Sequence, residues 1–138
     1  MPITEGYGLT EGGVVSLNPL GHAKPGSIGK PLAGVEITFS EDNEILVKGP
    51  CLFSGYLNDP VTTAEVLRDG RLHTGDLGHM DSEGYVFITG RKKELIVSST
   101  GKKIFPSRVE SLFKMEPLIS QVLLIGDRLP FQIGRAHV

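Results

Sequence analysis

The residues with the most chemical capacity lie in three clusters, Tyr7-Gly8-Leu9-Thr10-Glu11, His73-Thr74-Gly75-Asp76 and Gly90-Arg91-Lys92-Lys93-Glu94, with Cys51 apart from them. Tyr7 to Glu11 fall within residues 3–13, a polar, glycine-rich stretch of the kind that lines ligand sites. A Thr-Glu pair could contribute a metal ligand, a histidine a base and a cysteine a nucleophile. Taken singly, each has a plainer reading. Thr10-Glu11 is an ordinary turn or helix cap, Asp76 a turn residue, His73 a packing residue and Cys51 a small core residue. Gly90-Arg91 alone says nothing. A functional reading therefore needs the order and spacing of the clusters together.

The elements that must hold them are mostly strands. The 138 residues suffice for about one domain's core. Glycine (18) and proline (9) make up about a fifth of the chain, against a usual share near 12%, which argues for short strands and tight turns over a helical bundle. A net charge of −2 gives nucleic-acid binding no electrostatic support. One cysteine excludes an internal disulfide and any cysteine-built zinc site. The longest apolar run, residues 122–125, is far too short to span a bilayer, and residues 2–13 hold no signal-peptide core. The expected setting is a soluble, reducing, cytoplasmic one.

Along the chain, residues 35–39 alternate as a half-buried strand, residues 41–43 turn, and Glu44–Lys48 returns as the partner strand. A short helix is expected over residues 61–67, started near Asp59, then a turn at Asp69-Gly70 and strands over residues 72–79 and 85–90. The turn spacing predicts a small barrel or sandwich over residues 26–90. Arg91-Lys92-Lys93-Glu94 is the best candidate linker. Beyond it a hairpin (residues 95–98 and 103–105), a helix from Pro106 with Val109, Leu112 and Phe113 on one face, and a strand over residues 121–126 make a second unit. Residues 124–127 read as a buried strand end, with Pro130 and Phe131 leading onward. The fold class is α+β and strand-rich.

In order and spacing the clusters resemble the adenylate-forming enzymes: acyl-CoA synthetases, luciferases and the adenylation domains of peptide synthetases. Tyr7–Glu11 is similar to that family's Y-G-x-T-E segment. Residues 44–58, E-I-L-V-K-G-P-C-L-F-S-G-Y-L-N, resemble its G-E-[IL]-x-[IV]-x-G-P stretch with the following G-Y-x-N, and residues 73–76, H-T-G-D, its T-G-D element. Residues 84–93 with 101–110 resemble its G-Y-x-x-[IV]-x-G-R block and the later G-x-x-I-x-P. Lys92 to Val97 and Gly101-Lys102-Lys103 look most like long-chain fatty-acyl synthetases; peptide-synthetase domains usually carry Asp where Lys92 and Lys93 stand.

The resemblance implies a two-step mechanism with ATP, Mg²⁺ and coenzyme A. A fatty acid carboxylate attacks the α-phosphate to give an acyl-adenylate and pyrophosphate, and a thiol then displaces AMP. It makes Thr10, Glu11 and Arg91 the catalytic set, with Glu11 on Mg²⁺. Tyr7, Gly8, Thr10, Asp76 and Arg91 would meet the nucleotide: Tyr7 against adenine, glycines at 6 and 8 allowing close backbone approach, and Asp76 accepting from both ribose hydroxyls. Lys93 falls at the family's hinge, and Ser99, Thr100 and Gly101 would line the thiol's approach. The implied architecture is a distorted β-barrel subdomain closing a large AMP-binding domain (residues 1–92), then the truncated start of the small α+β C-terminal domain (residues 93–132). Residues 133–138, I-G-R-A-H-V, match one reading frame of a common sequencing adapter, so Arg135 and His137 are given no weight. Both ends read as cut, with the phosphate loop, most of the acyl pocket and a C-terminal lysine outside the chain. Tyr7, Thr10 and Glu11 are then expected to be frayed, and the chain alone inactive. Acyl-carrier-protein ligation, another adenylate-forming activity, and a β-rich binding module without catalysis are the alternatives. A fatty substrate would bring peripheral contact with membranes.

Overall fold

The computed structural model describes residues 3–99, 101–127 and 133–137, which form two compact units, Met1–Ile88 and Thr89–Val138. Thr100, Pro130 and Phe131 lie outside the described residues.

In the first unit, β1 (Gly6–Leu9) and β2 (Gly13–Leu17) make an antiparallel hairpin, and β3 (Lys30–Pro31) pairs with β2. This corrects the expectation of a frayed glycine-rich start. A Cβ on Gly8 would sit 2.7 Å from the carbonyl oxygen of Gly13, so the strands close on glycine, a residue whose low strand preference hides them in the sequence. Downstream chain ties the hairpin further: Asn18 N–H donates to the Glu5 carbonyl (2.8 Å) and Phe53 N–H to the Glu11 carbonyl (2.8 Å).

β4 (Glu36–Phe39) and β5 (Glu44–Lys48) form the expected hairpin, turned at Asn43 with a φ of 66°, a left-handed conformation asparagine tolerates. Helix α1 (Pro60–Val66) follows, with proline in its first turn and Asp59 Oδ1 accepting from Thr62 N–H at 2.9 Å. β6 (Leu67–Arg68) and β7 (Arg71–Met80) are joined by Asp69-Gly70, both at positive φ (51° and 70°), as a tight two-residue hairpin needs. β8 (Val86–Arg91) pairs with β7, giving the strand order β4-β5-β7-β6 with β8 also on β7. Val86 exchanges bonds with Ile28 and Gly29 (2.8 and 2.9 Å), which joins this curled sheet to the first. Val15, Ile37, Ile45, Val47, Leu72 and Val86 form the buried core between them. The strand-rich α+β class read from the sequence is what forms.

In the second unit a 3-10 turn at Lys92–Glu94 leads to β9 (Ile96–Val97), antiparallel to β10 (Lys103–Ile104). Helix α2 (Pro106–Phe113) follows, and β11 (Gln121–Ile125) pairs with β12 (Ile133–His137), a strand in the segment given no weight above. The expected buried strand end fails here, because β11 alternates between half-buried and exposed residues. On α2 Val109 is half-buried, while Leu112 is 65% and Phe113 53% exposed. Two small hairpins and one eight-residue helix leave too little surface to close a core around them.

Candidate functional site

Glu11 follows β1 in the turn that leads to β2. Its backbone is held by Phe53, and its carboxylate by a residue the motif reading passed over: Tyr56 Oη donates to Glu11 Oε1 at 2.6 Å. Tyr56 is itself fixed. Its N–H donates to Thr63 Oγ1 on α1 (2.9 Å), and its ring meets Phe53 edge-on with centroids 4.9 Å apart. The Glu11 carboxylate accepting its proton, aided by burial, raises the Tyr56 phenol above its ordinary value, so the group is a firm donor. Thr10 is exposed beside it and Glu11 half-buried. Among the described residues no group of three or more His, Cys, Asp or Glu is placed to hold a metal. Glu11 therefore offers one carboxylate, which suits Mg²⁺ bound by a single carboxylate plus substrate phosphates.

The second half of the site is made by β5 against β7. Glu44 faces Leu77 and Leu46 faces His73, so one residue of β5, Ile45, stands opposite three of β7, Thr74, Gly75 and Asp76. Such bulges re-aim side chains and recur beside active sites. Gly75 has a φ of +74°, which explains why glycine stands there. The bulge directs Asp76 toward β1: Tyr7 Oη donates to Asp76 Oδ2 in a short bond, although 69 positions separate them, and Asp76 is only 4% exposed. The structure thus brings Tyr7 and Asp76 together, and places Glu11 at the end of the same β1 strand with Thr10 and Gly8.

Arg91 ends β8 and Lys93 is the middle of the 3-10 turn, both exposed. Ser99 and Gly101 are exposed at the tip of the β9–β10 hairpin, where Ser98 N–H donates to the Lys102 carbonyl (3.0 Å) and Gly101 N–H to the Ser98 carbonyl (2.9 Å). These four belong to the second unit, and Thr100 lies outside the described residues. Cys51 is a correction. It is exposed, because Gly49-Pro50 ends β5 and carries it out of the sheet. His73 packs within the sheet with Nδ1 3.3 Å from Glu44 Oε2.

Known proteins match this chain in sequence and in structure. The family model for the AMP-binding enzyme matches residues 1–57. The chain is 43% identical over 132 residues to the long-chain-fatty-acid–CoA ligase FadD15 of Mycobacterium bovis, a match covering 95% of this chain and 22% of that protein. The family these matches point to is that of the AMP-binding enzymes. The chain is also 36% identical to the 2-succinylbenzoate–CoA ligase of Listeria innocua, covering 91% of this chain and 27% of that protein. Among solved structures, the O-succinylbenzoate coenzyme A synthetase of Bacillus subtilis in complex with ATP and magnesium ion matches with a TM-score of 0.85 at 31% identity, over 98% of this chain and 31% of that one. The chain thus spans about a quarter of the length of these AMP-binding relatives.

Proposed function

We propose that this chain carries part of the nucleotide site of an ATP-dependent acid–thiol ligase that joins a long-chain fatty acid to coenzyme A. The observation that supports this most is the buried Asp76 carboxylate, raised on a bulge and bonded by Tyr7 from the strand that leads to Thr10 and Glu11. The 43% identity to a long-chain-fatty-acid–CoA ligase supports the fatty substrate. In this reading the acid's carboxylate oxygen bonds to the α-phosphorus of ATP as the bond to pyrophosphate breaks. The thiol sulfur then takes the acyl group and AMP leaves.

The residues divide the work between positioning and charge, which is what a transfer between anions requires. Asp76 accepts from the ribose hydroxyls, as a carboxylate with two acceptor oxygens and no donor can. Tyr7 lies against the base and Gly8 lets the backbone approach it. Thr10 donates its hydroxyl to a phosphate oxygen. Glu11 holds Mg²⁺ through the oxygen that Tyr56 does not occupy, and the ion would neutralise phosphate charge when bound. Arg91 supplies a fixed cation on the ribose and phosphate side. Lys93 is the hinge between residues 1–92, the end of the large AMP-binding domain, and residues 93–132, the start of a mobile C-terminal domain, whose loop at Ser99 and Gly101 lines the thiol's path. Among the described residues no helix is long and apolar enough to cross a membrane, and contact with membranes would come through the substrate.

The test is ATP–pyrophosphate exchange by the full-length protein carrying this chain, with fatty acids of graded length and 2-succinylbenzoate offered separately. Exchange with long fatty acids is expected. Exchange with 2-succinylbenzoate alone would move the substrate to an aromatic dicarboxylic acid, and no exchange with any acid would defeat the reading.

A further inference from the structure

We infer that Glu44 is a positioning residue that sets the Asp76 carboxylate for the nucleotide, an inference that rests on Asp76 being the ribose acceptor. Glu44 opens β5 and is 6% exposed. A carboxylate is almost never buried to that degree without partners, because giving up its water is costly, and the partners show what the burial serves. Both of its oxygens meet the residues that flank Thr74 in the bulge. Oε1 accepts from Gly75 N–H at 3.0 Å, and Oε2 lies 3.3 Å from His73 Nδ1.

The bulge explains why these bonds are needed. With three residues of β7 opposite one of β5, the regular ladder cannot serve the Gly75 N–H, and a buried donor without an acceptor is costly. Glu44 supplies the acceptor from its side chain. Thr74 supplies the companion tie, its Oγ1 donating to the Ile45 carbonyl at 2.9 Å and accepting from Asp76 N–H at 3.1 Å. Glu44 is anchored in turn, its N–H donating to Ser40 Oγ (2.9 Å) and its carbonyl accepting from Ser40 N–H (3.0 Å). Two side chains thus replace the missing ladder bonds on either side of a glycine at positive φ. The residue so fixed is Asp76, whose carboxylate must keep its direction toward Tyr7. A geometry error of about an ångström in a positioned group can cost about a hundredfold in rate.

The experiment measures KM for ATP and for the fatty acid separately, in the full-length protein, for Glu44→Ala, Glu44→Gln, Asp76→Ala and the double variant Glu44→Ala/Asp76→Ala. Glu44→Ala is expected to raise KM for ATP about tenfold, the scale of one charge-assisted bond, with KM for the acid unmoved. Glu44→Gln keeps an oxygen for Gly75 N–H and is expected to recover most of the loss. In the Asp76→Ala background Glu44→Ala should add nothing, because it acts through that carboxylate. Should Glu44→Ala fail to fold, Glu44→Asp draws the acceptor back by one methylene while keeping the charge, and it too should raise KM for ATP alone. Equal increases for both substrates, or an undiminished effect of Glu44→Ala in the Asp76→Ala background, would make Glu44 a fold residue only and overturn the inference. An Asp76→Ala variant with unchanged KM for ATP would instead remove the ribose assignment on which it rests, and the inference with it.

Discussion

Tyr56→Phe removes one hydroxyl and leaves its surroundings intact. The edge-on contact with Phe53 survives, as does the backbone bond to Thr63 Oγ1. What is lost is the 2.6 Å bond to Glu11 Oε1, a charge-assisted bond of a class worth about 1.5–3 kcal/mol. Both partners are half-buried, so water can replace part of it, and about 1–2 kcal/mol is the appropriate figure. At about 1.36 kcal/mol per factor of ten, that is about 5–30-fold. Because Tyr56 aims Glu11, and Glu11 is proposed to hold Mg²⁺, the loss should fall on the metal, where residues behind a ligand typically matter by about 10–100-fold. The assay is a Mg²⁺ titration of ATP–pyrophosphate exchange in the full-length protein, paired with Mn²⁺ binding in the presence of ATP followed by electron paramagnetic resonance. Both half-saturation points should rise by the same factor, with the rate at saturating metal little changed. The raised phenol fixes a sign as well: the hydroxyl form is favoured in the fold, so its bond is present at neutral pH and is lost only as pH rises beyond the ordinary tyrosine value of about 10. Identical metal dependence in the two proteins would refute the argument that Tyr56 aims Glu11.

Lys93→Pro, at the middle of the 3-10 turn, fixes φ near −65° and should leave acyl-adenylate formation largely intact while slowing thioester formation. Separate measurement of the half-reactions checks this, and equal losses in both would make Lys93 an ordinary surface lysine. Gly75→Ala forces a side chain onto a φ of +74° and should cost about 1 kcal/mol or more. A thermal midpoint lowered by a few degrees together with a higher KM for ATP is expected, and no change in either would show that the bulge relaxes freely.

What the sequence made legible was local. Alternation marks β4, the turn after it marks β5, and the turn signals at Asp69-Gly70 and residues 81–84 bound β7 and β8; Asn43 and Asp69-Gly70 stand where the chain needs positive φ. Asp59-Pro60 announced α1 by the capping bond it makes. What stayed hidden depends on contacts between distant residues. The β1–β2 hairpin is built from glycines that read as loop and is held by Phe53 and Asp76, dozens of positions downstream. Tyr56 stands in the G-Y-x-N stretch, and nothing in that pattern signals that its hydroxyl bonds Glu11, 45 positions away. Glu44 looked like an ordinary strand end, and no pattern in residues 41–48 signals that its carboxylate is spent on Gly75. Cys51 reads as a core residue in the sequence because composition cannot say whether a neighbouring element arrives to cover it.

The central claim is that Asp76 receives the ribose of ATP. Its most direct test is KM for ATP in the full-length protein with Asp76→Ala, measured by ATP–pyrophosphate exchange at saturating fatty acid. Loss of charge-assisted bonds of about 1.5–3 kcal/mol each predicts an increase of at least about tenfold, with KM for the acid unchanged. A KM for ATP equal to that of the unaltered protein would contradict the account.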